Sequence, residues 1–129
     1  LPVNEPAIAS VDGLFPRNER LLVQLDGPLG RVAVVAIGAY NVGRISAAFA
    51  PDWGAPETRG WVTNRSRRTP ETRTWQPSLA WRRGDELMAF HLGSTVVLLF
   101  EAAGARLAGR LQEGAEVRLG TIIAEPASP

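Results

Sequence analysis

The apolar residues of this chain fall in short aliphatic and β-branched runs separated by clusters of Gly, Pro, Asn and Asp, and no stretch carries a helical stripe bounded by caps. Leu21-Leu22-Val23-Gln24-Leu25 predicts a strand. Asp26-Gly27-Pro28-Leu29-Gly30 is dense in turn formers, and residues 31–37 are again β-branched and apolar, so the pair reads as a hairpin. Gly38-Ala39-Tyr40-Asn41-Val42-Gly43 interrupts the pattern with small residues that suit tight backbone packing or a sharp bend, before a shorter strand over 44–49. Residues 1–20, with Pro2, Pro6, Gly13 and Pro16, predict an extended, irregular opening segment. From Pro51 to Pro77 the periodicity fades into polar, proline-containing sequence, predicted as loop with short strands at 60–63 and 73–76. Further strands are predicted over 85–91, 95–100, 105–111 and 116–124, separated by glycine turns.

A weak internal repeat bears on how these strands assemble. Arg83-Gly84-Asp85-Glu86-Leu87 and Glu113-Gly114-Ala115-Glu116-Val117 share the pattern x-Gly-x-Glu-aliphatic. Such units resemble the repeats of lipoyl-type barrel-sandwich hybrids and of the glucose-permease IIA fold, although Gly-x-Glu turns also recur by chance in many β proteins. The expected fold is mostly β: a small closed β-sandwich or barrel of the barrel-sandwich hybrid kind, since closure limits exposed edges.

Composition narrows the function classes. A chain of 129 residues suits one domain over 1–129, and 45% hydrophobic with 21% charged residues is ordinary for a globular fold. The apolar runs fall short of the ~20 residues needed to cross a bilayer. Without cysteine there are no disulfides or thiolate metal sites, and a single histidine argues against zinc. A net charge of +1 does not point to nucleic acid. All fourteen basic residues are arginine, however, and Arg59, Arg65, Arg67, Arg68, Arg73, Arg82 and Arg83 cluster with Trp53, Trp61, Trp75 and Trp81. In one reading, Trp61 and Trp75 sit at the lipid headgroup level while Arg65, Arg67 and Arg68 contact anionic phosphates. In the other, the window is a solvated loop whose tryptophans cover the edge of the core. The opening Leu1 reads as the start of a processed product or of a fragment.

The stretch Phe90-His91-Leu92-Gly93-Ser94-Thr95 leads into the most apolar segment, residues 96–100. Glycine leaves its carbonyl unshielded and tolerates unusual dihedrals, and Ser94 supplies a hydroxyl directly downstream. That arrangement permits an N-to-O acyl shift, with elimination then releasing a carboxyl terminus at Gly93 and turning residue 94 into a pyruvoyl group. On these residues alone a turn before a strand is the commoner outcome. Strand alternation puts His91 and Gly93 on one face and Ser94 on the other, which makes His91 a poor base for Ser94. No Ser-His-Asp set and no phosphate-cradling glycine motif is present.

Three blocks change the balance: residues 13–20 (Gly-Leu-Phe-Pro-Arg-Asn-Glu-Arg), residues 35–45 and residues 83–100. Together they resemble the pyruvoyl-dependent phosphatidylserine decarboxylases in order and spacing over nearly the whole chain, and Leu92-Gly93-Ser94-Thr95 matches that family's self-cleavage motif. The resemblance implies cleavage between Gly93 and Ser94, giving a β chain of residues 1–93 and an α chain of residues 94–129 headed by a pyruvoyl group made from Ser94. These two chains would stay together. The pyruvoyl carbonyl, with no metal, would form a Schiff base with the amine of phosphatidylserine and accept the electrons released with carbon dioxide, yielding phosphatidylethanolamine. It further implies a peripheral enzyme at the cytoplasmic face of the membrane, with anionic lipid as partner, no nucleic acid, and compatibility with a homo-oligomer. Family members carry an upstream aspartate, a histidine-containing motif and a membrane-associating part that these residues lack, and His91 does not match that motif. The 129 residues alone are therefore expected to cleave slowly or not at all. The contrasting expectation is a non-enzymatic hybrid-barrel module that binds lipid or protein.

Overall fold

The computed structural model describes residues 1–39, 45–51, 70–90, 95–109 and 111–127. These form two compact units, one of residues 1–20 and 36–95 and one of residues 21–35 and 96–129. The expectation of a mostly β protein holds: among the described residues, seven strands form one three-stranded and two two-stranded sheets, and two short helices precede them. Among the described residues these sheets are open, with no closed barrel.

The first unit opens with α1 (Glu5–Ser10) and α2 (Leu14–Arg17), where an irregular segment was expected. At six and four residues these helices are too short to display a stripe, yet a local signal exists. The Asn4 side chain accepts a hydrogen bond from the Ala7 backbone N–H at 3.0 Å, a helix N-cap, with Pro6 in the first turn where no N–H is required. Ala7 and Leu14 are the buried residues of the two helices.

β1 (Arg20–Gly27) and β2 (Gly30–Ile37) form the expected hairpin, closed by Pro28-Leu29. Along β1, Leu21, Val23 and Leu25 are half-buried while Leu22, Gln24 and Asp26 are exposed, the alternation of a strand with one covered face. The end of β2 is different: Val35, Ala36 and Ile37 are all buried, as a continuous apolar run requires. β3 (Ile45–Ala47) pairs antiparallel with β4 (Met88–Phe90), Ile45 opposite Phe90 and Ala47 opposite Met88. β5 (Thr95–Phe100) has the predicted bounds and completes the sheet in the order β1-β2-β5.

In the second unit, β6 (Ala105–Leu107) pairs antiparallel with β7 (Ala124–Pro126). Arg106 and Glu125 face each other in register and make a 2.7 Å ion pair. The strand expected over 116–124 is replaced by turns, and β7 starts only at Ala124. Thr121 N–H donates to the Arg118 carbonyl and Gly120 takes φ 87°, so the chain reverses where a strand would continue. The same turn closes Arg82–Asp85 and Gln112–Ala115, with Gly84 at φ 93° and Gly114 at φ 77°. The glycine repeat is thus a repeat of turns, and neither of its members opens directly into a strand. The strand expected at 73–76 is absent, and the one at 60–63 lies outside the described residues.

Candidate functional site

Gly93 and Ser94 lie outside the described residues, as does His91, so the geometry available is that of the flanks. On one side is β4, held in register by β3 and extended by a 3.1 Å hydrogen bond from Ala48 N–H to the Leu87 carbonyl. On the other is β5, whose first residue, Thr95, directly follows Ser94.

The position of β5 follows from its far end. Glu101 N–H donates to the Arg31 carbonyl at 3.0 Å, and the Glu101 carboxylate accepts from Arg31 N–H at 3.1 Å. The end of β5 therefore meets the start of β2, and two neighbouring strands joined in this way run antiparallel. The start of β5, Thr95, accordingly falls beside the end of β2, Ile37, both within the first unit.

That end of β2 is tightly held. Gly38, buried and one residue past the strand, donates its N–H to the Glu19 carbonyl at 2.8 Å. Its carbonyl accepts from Asn18 Nδ2 at 3.0 Å. Asn18 is only 6% exposed, and its side chain also meets Leu1: Nδ2 donates to the Leu1 carbonyl and Oδ1 accepts from the Leu1 amino group, both at 3.0 Å. Arg20 Nη1 ties the same segment down through the carbonyls of Pro16 (2.7 Å) and Asn18 (3.2 Å).

Of the arginine and tryptophan window, Arg65, Arg67, Arg68, Trp53 and Trp61 lie outside the described residues. Trp75 and Trp81 both pack edge-on against Phe49, at centroid separations of 5.4 and 5.8 Å. These two indoles meet one half-buried ring edge-on, the arrangement that aromatic quadrupoles favour. Trp81 Nε1 is buried with no hydrogen-bond acceptor among the described residues. Among the described residues there is no group of three or more His, Asp or Glu placed to hold a metal ion, and no helix long and apolar enough to cross a membrane.

The model of the family described as phosphatidylserine decarboxylase matches residues 1–125. The chain belongs to the phosphatidylserine decarboxylase family. Relatives agree: it is 44% identical over 119 residues to the phosphatidylserine decarboxylase proenzyme of Anaeromyxobacter sp. (strain K), covering 92% of this chain and 40% of the relative. With the proenzyme of Methylibium petroleiphilum it shares 38% over 122 residues, 95% of this chain and 40% of that one. With the mitochondrial proenzyme 1 of rice it shares 34% over 104 residues, 78% of this chain and 24% of that one. The chain thus spans about two-fifths of the bacterial decarboxylase proenzymes it matches. No solved structure matches it.

The sequence pattern placed the start of β5 at Thr95 but gave no role to Asn18. The residue was legible only as part of a matched block, because nothing in an Asn-Glu-Arg triplet before a strand marks its first member as buried.

Proposed function

We propose that this chain carries the cleavage site and the electrophile precursor of a phosphatidylserine decarboxylase, with Gly93-Ser94 as the scissile bond. One observation carries the reading: the family match runs over residues 1–125, the span in which the sequence Leu92-Gly93-Ser94-Thr95 lies. Ser94 Oγ attacks the Gly93 carbonyl, the C–N bond breaks and the nitrogen takes up a proton, leaving an ester. Loss of the Cα proton of residue 94 then expels the Gly93 carboxylate, and water replaces the nitrogen, which leaves as ammonia. The chain fits such a group, because its precursor hydroxyl is present and residue 95 onward is held in a strand. Once formed, the pyruvoyl carbonyl supplies an electron-accepting site for the amine of phosphatidylserine, whose carboxylate leaves as carbon dioxide. Cleavage yields chains 1–93 and 94–129, kept together by the sheet in which β5 neighbours β2.

Arg65, Arg67, Arg68 and Trp61, with the exposed part of Trp75, supply the contact with an anionic membrane surface in this reading, at the cytoplasmic face. The closed barrel-sandwich arrangement belongs to the same proposal and requires the open sheet edges to be paired. The test is a chimera in which these residues replace the matching part of the Anaeromyxobacter relative. It should cleave at 93–94 and release carbon dioxide from carboxyl-labelled phosphatidylserine, and Ser94→Ala should do neither. An uncleaved chimera that nevertheless decarboxylates would overturn the assignment of Ser94.

A further inference from the structure

We infer that Asn18 is a positioning residue for self-cleavage: it clamps Gly38, the backbone that lies at the end of β2 where β5 begins. The inference rests on the proposed scissile bond at Gly93-Ser94 and goes beyond it by assigning a residue seventy-six positions upstream in the chain.

Three observations converge. Asn18 is the buried polar residue among those described, and both of its side-chain polar atoms are engaged. Its Nδ2 satisfies the buried carbonyl of Gly38 while the Glu19 carbonyl takes the Gly38 N–H, so residues 18 and 19 hold both backbone polar groups of one glycine. Finally, the antiparallel run of β5 against β2, fixed by the bond from Glu101 to Arg31, brings Thr95 to the Ile37 end, next to that clamped glycine.

An acyl shift at the Gly93-Ser94 bond demands that a hydroxyl be held in line with a carbonyl carbon, and small misplacements of reacting atoms are expensive in rate. A strand end free to fray would not supply that precision. Hydrogen bonds at the end of a sheet open more readily than those in its middle, and Gly38 has no side chain with which to anchor itself. Asn18 replaces the missing anchor. Its amide is suited to the task because it donates to two carbonyls, Leu1 and Gly38, while accepting through Oδ1.

The chimera described above tests this, with first-order cleavage followed by gel and each rate divided by the folded fraction. Folding is measured separately in a Ser94→Ala background. Asn18→Leu should slow cleavage at least about tenfold at every pH. Asn18→Asp keeps an acceptor but loses both donors, and its carboxylate repels the two carbonyl oxygens. It should be slow at neutral pH and recover as acid protonates the carboxyl and restores one donor, relative to the native chain at the same pH. Phe49→Ala, which loosens the same unit without touching Gly38, should leave the rate per folded molecule unchanged. If Asn18→Leu does not fold, the titration of Asn18→Asp still decides. Native-rate cleavage in folded Asn18 variants overturns this inference and leaves Ser94 standing. A native chimera that stays uncleaved while the Anaeromyxobacter relative cleaves overturns both.

Discussion

Gly104→Ala is expected to break the close approach between the β1–β2 hairpin and the turn that follows β5. A Cβ built at Gly104 would overlap the Leu29 carbonyl oxygen, with the Leu29 carbonyl carbon 3.0 Å and Gly30 Cα 3.4 Å away. All of these neighbours are backbone atoms, so no flexible side chain can swing aside. The turn itself is held by Gly104 N–H on the Glu101 carbonyl at 2.9 Å and by Ala127 N–H on the Gly104 carbonyl at 3.2 Å. Relief of the overlap must therefore move the hairpin tip or these bonds. Forcing one methyl into a filled site costs about 1–3 kcal/mol, and a rigid backbone neighbour puts this case at about 2–3 kcal/mol.

The loss of glycine also stabilises by restricting the unfolded chain, by about 0.4–1 kcal/mol. Gly109→Ala supplies the control, since an added Cβ there meets nothing within 4 Å. The unfolded-state effect is common to both, and their difference isolates the overlap. It should appear as a gap of about 2–3 kcal/mol between the two variants in urea unfolding, or roughly 6–15 °C in melting temperature for a chain of this size. Equal stability of the two variants would refute the reasoning.

Other expectations concern local parts of the structure. Asn4→Ala removes the cap of α1 and should cost about 1 kcal/mol, read as faster amide exchange at Ala7 and Ile8. Phe49→Ala removes the ring shared by Trp75 and Trp81 and should cost about 2–4 kcal/mol while red-shifting indole emission; an unshifted spectrum would contradict the packing. A double-mutant cycle on Arg106, exposed, and Glu125, half-buried with a largely solvated side chain, should give a coupling below about 0.5 kcal/mol despite the 2.7 Å contact, and less at high salt.

Much of the β framework was legible because its signals are local. The hairpin of β1 and β2 announced itself through turn residues between apolar runs, and β5 through an unbroken aliphatic stretch. The misses share a cause as well. α1 and α2 are shorter than two turns, so periodicity had no length in which to appear; the Asn4 cap could have given away α1, while α2, with Gly13 at its N-cap, has no side-chain cap. The stretch 116–124 carries enough aliphatic residues for a strand, but Gly114 turns the chain just before it and Gly120 turns it in the middle. Asn18 was invisible for a different reason: a buried amide is defined by the carbonyls it meets, here those of Leu1 and Gly38, and these lie seventeen and twenty residues away in the chain. The proposed scissile bond stood out only through the blocks around it, since Gly-Ser before a strand is an ordinary turn.

The most direct test of the central claim is an intact-mass measurement on the chimera that carries these residues at the family's full length. Two chains should appear, the smaller beginning at residue 94 and about 17 Da lighter than its serine form, the loss of ammonia that leaves a keto group reactive toward hydroxylamine. A single uncleaved mass, under conditions where the Anaeromyxobacter relative is fully processed, would contradict the assignment of Gly93-Ser94.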